Sequence, residues 1–471
     1  MHFNSPEING STSANSGPWY RDLTRYHWFV LVVAALGWLF DTMDQQLFNL
    51  ARTPAIRELL GSASDTIVAR YGAYATAIFI IGWATGGLIF GIMGDRIGRA
   101  KTMLLTILTY SLFTGLSALS WDVWSFGVFR FLTGLGVGGE FAVGVALVAE
   151  VMPDRARSHA LGWLQTLSAV GNITAALINI GLGIAEGEGA FADTAWKPWR
   201  IMFVIGALPA LLAIVIRAKL KEPERWRHAV VEEGRHRKAG SLAELFGERR
   251  WRNNALIGLG LAVPGVVGLW GIGFFSFDFI RTVFRDAYAK EGLGTEEIRG
   301  KLTILVGVVS VLQNLGGAFG IFTFKHFTAR IGRRPAFAVA FLLAIASTAG
   351  TFWFLDTFYD VFWMIPLMGF CQLMLFGGYA IYFPELFPTR LRSTGTSFCY
   401  NVGRYAAALG TLTMGALIDS VFGGYCKAHY PEHEAQTMAW RFTGVTMCSF
   451  FLIGLVVLPF APETKDEPLP E

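Results

Sequence analysis

The sequence predicts an all-α polytopic membrane protein, with twelve transmembrane helices arranged as two pseudo-symmetric six-helix bundles. Three observations lead there. The chain of 471 residues is 53% hydrophobic and only 16% charged, with a mean hydropathy of +0.45, against roughly 25% charged in an ordinary soluble domain. Twelve mostly apolar stretches each approach the ~20 residues that cross about 30 Å of hydrocarbon. The polar punctuation between them recurs at a fixed offset in the two halves.

The stretches begin near Trp28, Ala69, Thr102, Val123, Ala160, Trp199, Asn253, Leu302, Ala336, Val361, Thr394 and Met438. They divide the chain into an N-terminal tail (1–27), a six-helix bundle (28–219), a hydrophilic linker loop (220–252), a second six-helix bundle (253–460) and a C-terminal tail (461–471). The first 27 residues are polar and lack the apolar core of a cleaved signal, so the first span is expected to act as the targeting element. Basic residues choose the orientation. With the tails and even-to-odd loops inward, 25 of the 39 Lys and Arg are cytoplasmic, 12 lie in the opposite loops, and Arg130 and Arg404 fall inside spans. The expectation is a multi-pass protein of the plasma (cell inner) membrane, embedded in the lipid bilayer as a monomer, with both termini cytoplasmic.

Composition also argues against several functions. The net charge is only +4 and its basic residues sit in short loops, which makes nucleic acid a poor partner. Cys371, Cys399, Cys426 and Cys448 lack metal-ligand or redox spacing and read as packing residues. No P-loop, metal cluster or nucleophile motif is present, so neither an enzyme nor an ATP-driven pump is expected, and no cofactor or metal. His429 and His433 have i, i+4 spacing, but without further ligands they read as solvated loop residues. The basic clusters of the linker, such as Arg249-Arg250-Trp251-Arg252, read as a solvated interfacial segment.

The halves repeat one another. Gly94-Asp95-Arg96-Ile97-Gly98-Arg99 follows span two and Ala329-Arg330-Ile331-Gly332-Arg333-Arg334 follows span eight. After span four comes Glu150-Val151-Met152-Pro153-Asp154-Arg155-Ala156-Arg157-Ser158. After span ten comes Glu385-Leu386-Phe387-Pro388-Thr389-Arg390-Leu391-Arg392-Ser393. Duplicated halves that rock around a central site are the physical basis of alternating access.

On these residues the chain resembles the major facilitator superfamily along its whole length. Gly91 to Lys101 is similar to the family's loop 2–3 motif, G-x-L-[AG]-D-R-x-G-[RK]-[RK]. Its glycines allow a tight turn beside another helix, and Asp95 offers a partner to nearby cations. The resemblance implies a clamp on the outward-facing state. The second copy has Ala329 where Asp95 stands, which implies a weaker clamp there. The gating set is accordingly Gly91, Asp95, Arg96, Gly98, Arg99, Glu150, Arg155, Arg157, Arg330, Arg333, Glu385, Arg390 and Arg392. Glu222-Pro223-Glu224-Arg225-Trp226 and Pro462-Glu463-Thr464-Lys465 resemble further family signatures, best known from sugar porters.

A charge near the bilayer centre costs a few kcal/mol, so each is a functional candidate. Span one carries Asp41 and Asp44, three residues apart and so neighbours on its surface. Span four carries Arg130 and Glu140. Counting rise per residue places Asp44 at a depth similar to Arg130, with Asp41 and Glu140 nearer the midplane. A carboxylate in low dielectric favours its protonated form, while a neighbouring arginine favours the charged one. Moving the partner can therefore load and unload a proton. A permanent ion pair fastening span one to span four is the competing reading for Asp44 and Arg130.

Asp41-Thr42-Met43-Asp44 resembles the Asp-Gly-aromatic-Asp of aromatic-acid and sialate proton symporters, departing at Thr42 and Met43. Arg130 with Gly134, Gly136, Gly138 and Gly139 is similar to the span-four signature of sugar porters and metabolite symporters. That resemblance implies Asp44 and Arg130 as the coupling pair. Arg404 in span eleven is the second buried cation, either an anion ligand or part of a cytoplasmic gate. Gln165 and Asn172 (with Asn179) in span five, Gln313 and Asn314 in span eight, and Gln372, Tyr379 and Tyr382 in span ten either line the cavity or hydrogen-bond between helices. Span seven lacks the paired glutamines of sugar porters. The sequence thus points to a proton-coupled symporter importing a small organic anion, such as a monocarboxylate, sugar acid or aromatic acid. A sugar or polyol porter and a non-transporting sensor are the alternatives.

Overall fold

The computed structural model describes residues 19–61, 64–191, 194–223, 242–387 and 391–465. Among the described residues twelve helical rods run through it, and ten are long and apolar enough to cross a membrane. In the first half these are Arg25–Leu60, Asp65–Ile97, Arg99–Ser117, Val123–Val151, Asp154–Gly187, and a sixth made of Pro198–Gly206 and Ala210–Lys219. In the second half span seven joins Arg249–Val266 to Ser276–Lys290 through a π-turn (Val267–Ile272) and a 3-10 turn (Gly273–Phe275). Spans eight to ten are Thr295–Ile331, Arg333–Phe354 and Phe358–Glu385. Span eleven is Arg392–Ala416, a π-turn (Leu417–Val421) and Phe422–His429, and span twelve contains Glu432–Met447 and Phe450–Val457. Helices begin up to seven residues before the apolar stretches, because polar first turns such as Thr295-Glu296-Glu297 are helical but carry no hydrophobic signal.

Glycine governs the packing. A methyl on Gly82 or Gly86 would lie 2.2 or 2.0 Å from the carbonyl oxygens of Phe131 and Leu135, and one on Gly138 would lie 2.0 Å from that of Trp83. Spans two and four therefore touch backbone to backbone, as small residues permit in membranes. The second half repeats this between spans eight and ten, where Gly316 and Gly320 face the carbonyls of Pro366 and Phe370. Between the halves, span five packs on span eight and span two on span eleven.

The start of span one and the segments after spans six and twelve lie on one face, here termed the near face. Tyr26 exchanges hydrogen bonds with the Lys221 backbone after span six (3.3 and 3.2 Å). Span two runs antiparallel to span eleven, with Gly415 beside Ala73 and Gly87 beside Asn401. The two family signatures have one structural role there. Glu222 accepts from the backbone N–H of Ala100 and Lys101 (both 3.1 Å), capping span three. Glu463 accepts from those of Arg333 and Arg334 (2.8 and 3.0 Å), capping span nine. Both caps satisfy N–H groups that a helix start leaves orphaned, and negative charge suits that end of the dipole. Burial works to raise the Glu463 carboxyl, but the N–H groups of Arg333, Arg334, Lys465 and Thr464 outweigh it and hold it below the usual carboxylate range.

The turn before each cap needs glycine. Gly98 and Gly332 have φ of +113° and +94°, a region that side chains rarely enter. In the second half Arg333 also forks onto Glu385 (3.1 and 2.9 Å), Thr464 donates to the same carboxylate (2.5 Å), and Lys465 reaches the Arg330 carbonyl (3.0 Å). The side chains of Asp95, Arg96, Glu150, Arg155, Arg157 and Arg392, and the whole of Arg390, lie outside the described residues.

Gly98→Ala should destabilise the protein by about 1–3 kcal/mol, since its methyl would meet the Glu222 carboxyl at 2.4 Å. Gly91→Ala is the control: its methyl meets nothing within 4 Å, and alanine is the better helix former. Thermal unfolding in detergent should separate the two, and equal midpoints would show the cap to be dispensable.

Candidate functional site

Four buried charges gather inside the first six-helix bundle, and a fifth, Arg404, couples to them from the second. Span one presents Asp41 and Asp44, both 0% exposed, and span four presents Glu140 and Arg130, 1% and 0% exposed. Glu140 approaches span one at Gly37, where a methyl would lie 2.3 Å from its Oε1. Gly37 is one turn before Asp41, so the absence of a side chain there admits the Glu140 carboxyl to the Asp41 face. Asp41 interacts electrostatically with Glu140 and Asp44 on its own side and with Arg404 of span eleven across the interface.

Each charge has uncharged partners. Gln45 donates to Asp41 (3.2 Å), Thr106 to Glu140 (2.7 Å) and Thr114 to Asp44 (2.7 Å). Arg130 donates to Ser117 from Nε and Nη2 (3.0 and 2.5 Å), to Thr133 (3.0 Å) and to the Phe113 carbonyl (3.3 Å). Its guanidinium lies 4.5 Å from the Phe203 ring centre. Asp44 and Arg130 thus share a level and an electrostatic coupling, but no direct contact. Span three stands between them and serves each with its own hydroxyl. The permanent ion pair is absent from this conformation.

Arg404 sits between two aromatic faces, 4.1 Å from the Trp83 ring and 4.2 Å from the Tyr400 ring. It donates to Asn401 (2.6 Å), while its Nε has no hydrogen-bond partner. Trp83 meets Trp270 of the span-seven π-turn edge-on at 4.7 Å, and Trp270 meets Phe274 at 4.5 Å. Contact with span two and coupling to Asp41 put Arg404 among the central charges.

The amides divide. Asn172 and Asn314 bond each other across the halves (2.8 Å), and Asn179 donates to the Thr303 carbonyl (2.8 Å). Gln313 and Gln372 both approach Gly273, the former by a long bond to its carbonyl (3.5 Å); a methyl on Gly273 would lie 2.5 Å from Gln372 Oε1. Gln372 also donates to Thr348 (2.9 Å). Tyr379 and Tyr382 spend their hydroxyls on the backbone, at Leu261 and Pro462 (2.7 Å each). These two are helix and tail anchors rather than cavity donors. The Gln165 side chain lies outside the described residues.

Sequence reasoning missed three features. Trp83 and Tyr110 went unremarked within apolar runs. At the far face, Arg52, Asp278 and Arg281, read as loop residues, form a buried network between the halves. Asp278 pairs with Arg52 and accepts from Thr53 and from Arg281 (3.1 Å), and Arg281 also donates to the Leu50 carbonyl (2.9 Å). Arg52 donates to Thr76 (2.9 Å) and covers the Phe275 ring at 4.3 Å. Arg285 with Asp65 and Arg70 with Asp419 extend it. The polar interruption Asp278…Arg281 within an aromatic run was its only signal.

The family model described as Major Facilitator Superfamily matches residues 34–411 and 302–471. A cis,cis-muconate transport protein of Acinetobacter baylyi is 28% identical over 394 residues, 82% of this chain and 86% of its own. A sialic acid transporter of Escherichia coli (strain K12) is 27% identical over 410 residues, 86% of this chain and 90% of its own. A crystal structure of a D-xylose-proton symporter shares the fold with a TM-score of 0.67 at 18% identity, covering 94% of this chain and all of that one (100%).

Asp278→Asn leaves two buried guanidinium groups without their counter-ion, a change that costs about 3–5 kcal/mol when a buried pair is broken. It should lower thermal stability and raise labelling of a cysteine placed at Phe275 by an impermeant maleimide. Labelling at the parent rate would show that the network does not hold the far face shut.

Proposed function

We propose that this chain, which belongs to the Major Facilitator Superfamily, is a proton-coupled symporter that imports a small organic anion by alternating access. One observation carries the reading. Four charges are buried inside the first bundle and a fifth, Arg404, couples to them from the second, yet no carboxylate among them contacts either guanidinium. The far-face charges, by contrast, are paired directly. Structural ion pairs close on each other, because an unpaired charge in low dielectric is expensive. Charges kept apart retain the capacity to exchange partners, which loading and unloading a proton requires.

Roles follow from position. Asp41, Asp44 and Glu140 carry the proton, and Arg130 is the cation electrostatically coupled to Asp44. Arg404 faces a substrate carboxylate with its unpartnered Nε, since a guanidinium holds a carboxylate through parallel hydrogen bonds. The Trp83 and Tyr400 rings beside it suit a flat, unsaturated acid, and the name of the muconate relative supports that class. The loop signatures keep a sugar or polyol cargo as the second reading, opposed by the apolar wall of span seven. The excess of Lys and Arg on the near face supports a cytoplasmic location for both termini.

In proteoliposomes, substrate should alkalinise a weakly buffered exterior, and an imposed pH gradient should drive accumulation. Uptake indifferent to the gradient would leave facilitated diffusion. Arg130→Leu should abolish accumulation while sparing exchange, because exchange requires no proton release; Asp44→Asn should behave alike. Normal accumulation in both would move the proton to Asp41 or Glu140. Arg404→Lys should lose accumulation and exchange together, since lysine lacks the planar fork.

A further inference from the structure

Span three carries a ladder of hydroxyls that the roles above leave unused. Thr106, Tyr110 and Thr114 recur at four-residue spacing and Ser117 follows, all 0% exposed. They occupy one face over about 16 Å of helix. The rungs at each side of Tyr110 are engaged: Thr106 donates to Glu140 and Thr114 to Asp44, both at 2.7 Å. Ser117 accepts from Arg130. Tyr110 is one turn from either acid-binding rung, and its hydroxyl makes no hydrogen bond of normal geometry. It lies within electrostatic range of Glu140, Asp41 and Asp44 together. Each of those carboxylates also keeps one buried oxygen without a partner: Glu140 Oε1, Asp41 Oδ1 and Asp44 Oδ2.

We propose that Tyr110 passes the coupled proton between Glu140 or Asp41 and Asp44, so that the three acids act as one shared proton site. The proposal rests on the symport reading above. Buried polar atoms without partners are costly, and a proton handed along these four oxygens satisfies two of them at a time. In the step, the acid form of Glu140 or Asp41 gives its proton to Tyr110 Oη as Tyr110 gives its own to the Asp44 carboxylate. One O–H bond breaks and one forms at the tyrosine, which ends unchanged. Both transfers occur together, because a free tyrosinate is disfavoured for a phenol that ionises near pH 10 in water.

The charged groups that bear on Tyr110 are Asp41 and Asp44 from span one and Glu140 from span four; Arg130 of span four meets the same helix at Phe113 and Ser117, and Arg404 couples to Asp41 from across the interface. Span six brings Arg200 only to the far end of span three, at the Ala118 and Ser120 carbonyls. The root of the side chain is held independently of the hydroxyl: span four meets Tyr110 at Gly136, where a methyl would lie 2.5 Å from its nitrogen and 2.8 Å from its Cβ.

Tyr110→Phe keeps that ring and removes only the proton path. Proton-driven accumulation should fall about 10-fold or more, exchange should stay at the wild-type rate, and the pH profile of uptake should change shape. Thr106→Val, which removes a rung without touching the ring, should also alter the pH profile and spare exchange. Wild-type accumulation and pH profile in Tyr110→Phe would overturn the relay. Loss of exchange together with accumulation would overturn it too, by showing a packing or binding role. Substrate-induced alkalinisation by the wild-type protein separates the two levels: its absence refutes the symport reading, whereas its presence with an unaffected Tyr110→Phe refutes the relay alone.

Discussion

The cost of an isolated charge in a low-dielectric interior shapes this molecule more than any other single term. At the far face the cost is met by direct pairing, Arg52 on Asp278 with Arg281 and Thr53 completing the set. At the centre it is met differently, by hydroxyls and amides that solvate each charge without neutralising it. Thr106, Thr114, Ser117, Gln45 and Asn401 perform that service. The first solution locks two bodies together; the second leaves charges able to trade partners. A transporter needs both, in different places.

Backbone geometry supports this division. Spans two and four touch along several glycines, and interpenetrating backbones have little slack. Where the halves meet, one close glycine approach of spans five and eight, at Gly187 and Gly300, is joined by side-chain bonds such as Asn172 with Asn314, Gln46 with Ser310 and Thr85 with Tyr405. Such bonds can be replaced by water or substrate as the halves part. The near-face caps fit the same logic: Glu222 and Glu463 each tie the end of a six-helix unit to the turn between its second and third helices, and so stiffen that unit from within.

Much of the fold was legible because lipid imposes long apolar runs and duplication repeats its punctuation. The central charges were legible for a related reason: Asp41, Asp44, Arg130, Glu140 and Arg404 are conspicuous in runs where nothing else ionises. The depth argument placed Asp44 level with Arg130, yet it could not show span three entering between them, because depth is measured along a helix and neighbours are set across helices. Tyr379 and Tyr382 stayed open between two readings for the same reason: a tyrosine in an apolar span carries no mark of whether its hydroxyl faces a cavity or a carbonyl. Arg52 and Asp278 escaped notice because polar residues near a span end resemble loop residues, although here the helices continue past them. Thr102, Thr106, Tyr110 and Thr114 did carry a visible period, one hydroxyl per turn, in a stretch read only for its hydrophobicity.

Span seven carries one more consequence. Its π-turn at Val267–Ile272 holds a residue more than a regular turn, and the far-face partners Asp278 and Arg281 lie just beyond it on the same helix. Shifting that spare residue along the rod past Asp278 and Arg281 would swivel the residues it crosses by about 100°, the angular step of one helical residue. The partners of Arg52 and Leu50 would then turn away sideways, without the helix being drawn out of the bilayer. A screw motion of this kind moves little lipid, and it makes the bulge a latch handle for the charges above it.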